Sequence, residues 1–244
     1  MTLTEDFKQA RERYLVSRGK SLTAIRAALI DMDGVLYDSM PLHARAWHQM
    51  MEENGVRTSV DEFFLYEGMT GPATIDLIFQ RELGRRASDK ECKELYARKG
   101  EIFRSFGQKP IMPGADRMLS TMKRLGWKRV LVTGSAQMSL LSHIDNDYPG
   151  AFSPEDRITA LDVRKGKPDP EPYLRGLGKA GCLAEEAVVV ENAPLGVRAG
   201  VAAGCFTIAV TTGPVAREEF EKEGAHIIFS SMPEFADFLS SLPQ

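Results

Sequence analysis

The sequence predicts an α/β fold: a doubly wound parallel-sheet core with an inserted helical cap domain. Three observations carry that expectation. Short β-rich runs recur along the 244 residues and are apolar almost throughout, the mark of strands buried on both faces. Helical segments separate most of them, the alternation of a parallel sheet covered by helices. Residues 38–113 break this rhythm with helical periodicity and no convincing strand.

Taken in order, residues 4–17 read as an amphipathic helix with Thr4 as N-cap and Phe7, Tyr14 and Leu15 on its apolar side. Residues 1–24 are expected to form a helical appendage on the core. AALID (27–31) is the first strand. The cap, 38–113, holds three helical stretches: HARAWHQMMEENG (43–55), GPATIDLIFQRELG (71–84) and SDKECKELYARKGEIFRSFG (88–107). KPIMPG (109–114) is the return hinge, its Pro and Gly supplying turn chemistry. The core, 1–37 and 114–244, resumes with the helix ADRMLSTMKRLG (115–126) and the strand RVLVT (129–133). AVVVE (187–191), the helix PLGVRAGVAAG (194–204), FTIAV (206–210) and HIIFS (226–230) complete it. Met50, Met51, Met118 and Met122 fall in helical patterns and read as core filling.

Composition narrows the function classes. A formal charge of −3 and a pI near 5.9 leave no basic footprint, so no nucleic-acid partner is expected. Cys92, Cys182 and Cys205 are odd in number and widely spaced, which suggests neither a disulfide framework nor a zinc site. No run approaches the ~18 apolar residues of a membrane span, and the charged N-terminus lacks a secretory apolar region. A cytoplasmic monomer is the expectation. His48, His143 and His226 show no metal-ligand spacing.

In open parallel sheets, ligands bind beyond the carboxyl ends of the strands. There AALI runs out into Asp31 and Asp33, RVLV into Thr133, Gly134 and Ser135, and AVVV into Glu191 and Asn192, while VRKGKPDPEPY carries Lys167 in a polar loop. Asp31, Asp33, Glu191 and Asn192 offer oxygens to a hard cation such as Mg²⁺ that keeps some of its waters. Thr133, Ser135 and nearby backbone N–H groups suit phosphate oxygens, and Lys167 adds a positive charge. A divalent cation and a lysine together offset the repulsion between two adjacent aspartates. Carboxylates at i and i+2 in a tightening loop can also share a ligand, one as nucleophile, the other as general acid or base. Either aspartate alone fits an ordinary turn; the ordered set is what points to a site.

These residues resemble the haloacid dehalogenase superfamily. DMDGV is similar to its first motif, VTGS to its second, Lys167 in GKPDPEPY to its third and VVVENAPLGVRAG to its fourth. The helical insertion, KPDPEPY and NAPLGVRAG resemble its β-phosphoglucomutase-like group, with a Rossmann-like core. The resemblance implies Asp31 as the nucleophile that forms an aspartyl-phosphate, and Asp33 as the acid/base. It implies Mg²⁺ on Asp31, the Asp33 carbonyl and Asn192, with Glu191 ligating or holding a metal-bound water. Thr133, Gly134 and Ser135 would bind the phosphoryl group and Lys167 would bridge it to Asp31.

Two departures from the group's pattern bear on substrate. Asn192 stands where many relatives have Asp. In LYEGMTGPATIDLIF (65–79), Glu67 and Gly71 stand where the mutases have a basic residue and an arginine that hold a second phosphate. Glu67 suits a small substrate that lets the cap close onto the metal. Together with His43 and Lys99, it resembles the inorganic pyrophosphatases of this group, which makes pyrophosphate the first expectation. A β-phosphoglucomutase or sugar-phosphate phosphatase on the same scaffold is the alternative. A non-enzymatic binding protein is a further rival, disfavoured because a pure binder has no use for Asp33 beside Asp31.

Overall fold

The computed structural model describes residues 3–21, 23–135 and 142–243. The chain begins with α1 (Leu3–Ser17) and β1 (Ala27–Ile30). Three helices follow, α2 (Met40–Glu53), α3 (Gly71–Leu83) and α4 (Asp89–Ser105), with a 3₁₀ turn over Asp61–Phe64. Then come α5 (Ala115–Arg124), β2 (Lys128–Val132), a single turn at Ile144–Asp147 and β3 (Arg157–Ile158). The chain closes with α6 (Glu171–Ala180), β4 (Ala187–Glu191), α7 (Pro194–Ala202), β5 (Phe206–Val210), α8 (Arg217–Lys222), β6 (Ile227–Phe229) and α9 (Met232–Ser240).

The six strands form one sheet in the order β3-β2-β1-β4-β5-β6, every pair parallel. All residues of β1, β4 and β5 are buried, as strands covered on both faces require. Chain order reverses beside β1, so β1 and β4 flank the switch point where open sheets take their ligands. Ile30 lies level with Leu131 and with Val190, which brings the ends of β1, β2 and β4 to one place.

β3 was not among the expected strands, because two residues carry no readable period. The first three residues of α6 fell within the expected polar loop, and the rest of α6, α8 and α9 were not marked. α2 starts at Met40, ahead of the expected His43, with Pro41 in its first turn, where a fixed φ and a missing N–H cost nothing. α4 opens with a reciprocal capping box between Ser88 and Glu91. The segments leaving and re-entering the core run side by side: Asp38 N–H donates to Pro110 O at 2.9 Å and Met112 N–H to Leu36 O at 2.9 Å.

The N-terminal helix is not an appendage. Phe7, Ala10, Tyr14 and Leu15 belong to the main core, with Phe7 5.4 Å from Phe206 and 5.0 Å from Phe238 between ring centroids. The Tyr14 hydroxyl donates to Gly204 O at 2.7 Å, and Arg11 donates to Glu185 O at 2.8 Å. Thr4 lies inside α1 rather than ahead of it; the helix was already turning before the residue chosen as its cap. Among the described residues, no helix is long and apolar enough to cross a membrane.

Candidate active site

Asp31 follows the last residue of β1 and is buried. Lys167, on the loop before α6, donates from Nζ to Asp31 Oδ1 and Glu191 Oε1, both at 2.5 Å, and to Val132 O at 3.2 Å. Glu191 was expected at the metal, ligating or holding its water. Its oxygens accept from four donors: Lys167 and the Tyr173 hydroxyl at Oε1, and the N–H groups of Asn192 and Ala193 at Oε2. It is wholly buried and holds Lys167 in position. Gly196 makes room for it, since a Cβ there would lie 2.0 Å from Glu191 Oε1.

Asp33 faces the cap. Its Oδ1 accepts from Ser39 Oγ at 2.5 Å and lies 3.0 Å from His43 Nε2; the other ring nitrogen of His43 meets Lys99 Nζ at 2.5 Å. His43 stacks on Phe103 at 3.9 Å between centroids. Lys99 is buried, and that desolvation pulls its ammonium down to about 7. Burial alone would raise Asp33, but His43, Ser39 and Lys99 more than offset it and leave this carboxyl below its ordinary range.

Thr133 and Ser135 sit past β2, with Ser135 N–H donating to Thr133 Oγ1 at 3.0 Å. Gly134 between them lies against the cap: a Cβ would fall 2.6 Å from Gly68 O. Gly68 in turn rests on Lys167, 2.9 Å separating a Cβ at that position from Lys167 Cδ. Beside it the buried Glu67 carboxylate accepts from Asn192 Nδ2 at 3.0 and 3.2 Å. The cap is therefore closed on the core, over a cavity of about 60 Å³ that Asp31, Asp33, His43, Glu67, Lys99, Thr133, Gly134 and Ser135 all help to line.

The structure thus gathers every residue singled out from sequence. Ser39, Tyr173, Gly68 and Gly196 were not named there, although Tyr173 stands inside KPDPEPY, Gly68 inside LYEGMTGPATIDLIF and Gly196 inside VVVENAPLGVRAG.

Residues 25–204 match the family model described as haloacid dehalogenase-like hydrolase. The chain belongs to the haloacid dehalogenase-like hydrolases. It is 33% identical to hexitol phosphatase A of Escherichia coli over 75% of this chain and 81% of that one. It is 31% identical to glycerol-1-phosphate phosphohydrolase 2 of Saccharomyces cerevisiae, over 77% and 75% of the two chains. A solved protein of Bacteroides vulgatus, provisionally named a beta-phosphoglucomutase, superposes with a TM-score of 0.93 at 44% identity, covering 97% of this chain and 98% of its own. This haloacid dehalogenase-like hydrolase is accordingly an enzyme of phosphatase kinship.

The charge balance of the hydrolase site suits a cation. Burial raises the Asp31 carboxyl well above its usual range; Lys167 pulls it back, while Glu191 and Asp33 add to the rise. Glu67 is likewise pushed well up by burial and by Asp31. Lys167 is the ammonium in contact with Asp31 and Glu191, and Lys99 lowers Asp33 from the cap side. Asn192 Oδ1 is buried and has no hydrogen-bond partner. Among the described residues no three His, Cys, Asp or Glu side chains form a metal cage by themselves. The donor set is instead an Asp31 oxygen, the Asn192 amide oxygen and backbone carbonyl, hard ligands for an ion that retains water.

Proposed function

We propose that this chain hydrolyses small phosphate monoesters of the sugar or polyol kind through an aspartyl-phosphate on Asp31. The observation that carries the reading is the pair Asp31 and Asp33 at the end of β1, one held by Lys167 and the other by cap residues, lining one cavity. Asp31 attacks phosphorus; the P–O bond to the leaving group breaks, and Asp33 hands that oxygen a proton. Asp33 then takes a proton from water, whose oxygen attacks the aspartyl-phosphate and releases phosphate and the Asp31 carboxylate. Lys167 bridges Asp31 and the arriving phosphoryl group, and Thr133 and Ser135 bind its oxygens. Asp31, the Asp33 carbonyl and Asn192 would hold Mg²⁺, which draws charge from the phosphoryl oxygens.

The substrate class rests on the relatives, several of which are named for sugar or polyol phosphates. It differs from the pyrophosphate expected first from sequence, for which these relatives offer no support. One observation still speaks for pyrophosphate. Glu67 sits on Asn192 in a cavity of about 60 Å³, and a hexose would have to hold that contact open. Side-by-side kcat/KM on glucose 6-phosphate, glycerol phosphate and pyrophosphate decides between the readings. A monoester well ahead of pyrophosphate supports the proposal, and the reverse order replaces it with the second reading. Exhaustive chelation should abolish turnover and Mg²⁺ restore it; full activity after chelation removes the metal.

A further inference from the structure

One contact inside the cap narrows the cavity. Tyr96 on α4 lies directly over Gly71, the first residue of α3: a Cβ at position 71 would fall 2.2 Å from Tyr96 Cδ2, 2.4 Å from Cε2 and 2.7 Å from Cγ. Any other residue at 71 would meet the ring, so the bare Cα of Gly71 is what admits it. Both residues line the catalytic cavity. Trp47 supports the ring from α2, with centroids 6.0 Å apart, and stacks in turn on Phe63 at 6.0 Å. Tyr96 stands one turn from Lys99 on the same helix, so it occupies the cap side of the space above Asp33, where a leaving group must project. What remains, about 60 Å³, is small beside the ~300 Å³ or more of an ordinary small-molecule pocket.

We propose that Tyr96, seated on Gly71, is a specificity-determining residue that limits the leaving group to glycerol or phosphate size. This rests on the phosphohydrolase reading, and within it favours pyrophosphate and glycerol-sized monoesters over hexose phosphates. The limit is steric. A bulky leaving group must displace the ring or stop the cap short of closure, and either loss appears in the transition state rather than in initial encounter.

The test measures phosphate release by wild type, Tyr96→Phe and Tyr96→Ala from pyrophosphate, glycerol phosphate and glucose 6-phosphate, with melting temperatures for each variant. Tyr96→Phe keeps the ring and should keep the wild-type order of substrates. Tyr96→Ala should raise kcat/KM on glucose 6-phosphate relative to the small substrates by roughly tenfold or more, the scale of discrimination a shaped pocket achieves. The gain should lie in kcat, since closure is what the ring obstructs. Gly71→Ala should hurt the wild type more than it hurts Tyr96→Ala, because the clash needs the ring. If Tyr96→Ala does not fold, Tyr96→Leu supplies the same comparison. Proportional changes on all three substrates overturn the proposal while leaving the hydrolase reading intact. A wild type that releases phosphate from none of them removes both.

Discussion

At the scale of single residues, the two aspartates differ in their neighbours more than in their positions. Asp31 looks inward to Lys167 and the buried carboxylates, whereas Asp33 looks outward to Ser39, His43 and Lys99. Asp31→Asn should therefore abolish turnover outright, since it removes the attacking oxygen. Asp33→Asn should lower kcat by ~10² to 10⁴, the usual worth of a positioned proton donor. The check is a substrate with a poor leaving group, for which near-wild-type kcat in Asp33→Asn would refute the assignment. These aspartates were legible in sequence because they end an apolar strand abruptly. Ser39 was not: a serine six residues on carries no sign that it will donate to Asp33. Glu191 was legible as a member of the site, but the four donors that meet it, from three separate stretches of chain, were not.

Among elements, the strands that were legible are those long enough to show an unbroken apolar run, such as AVVVE and FTIAV. β3, with two residues, and α6, which begins in a proline-rich loop, were not. The position of α1 was illegible for another reason: its apolar side is readable, but the surface it meets, formed by Phe206, Phe238 and His226, is assembled from the far end of the chain. That contact has a measurable consequence. His226 lies 4.9 Å from Tyr14 and 5.0 Å from Phe206 between centroids, and its Nδ1 accepts from Thr207 N–H at 3.0 Å. Burial pulls its imidazole down to about 4 from an ordinary 6.5. The folded state thus keeps His226 neutral where the unfolded chain binds a proton. Stability from this group is fully present above pH 6.5 and declines as pH falls toward 4. The loss across that window is on the order of 3 kcal/mol. Denaturant midpoints measured from pH 7 to pH 4 should fall, and His226→Gln should flatten the slope.

For the molecule as a whole, the decisive feature is how cap and core meet. Gly68 and Gly134 touch backbone to side-chain position, so Gly134→Ala should hold the cap away from the core without disturbing either part. Its kcat should drop by roughly tenfold or more, as for other lesions that prevent closure, while its melting temperature stays near wild type. A normal kcat would mean the reaction does not need the closed form. Contacts of this kind were beyond the sequence because they join residues with no local relation to one another: 125 positions separate Glu67 from Asn192. Two of the departures noted in the sequence, the amide at 192 and the acid at 67, are hydrogen-bond partners across the seam between cap and core. An aspartate at 192 would face the acid at 67 with a second negative charge, and restoring the amide's NH₂ is what relieves it. Asn192→Asp should be far worse in the native background than with Glu67→Gln, so a four-variant cycle reads the two positions as one charge-matched latch between cap and core.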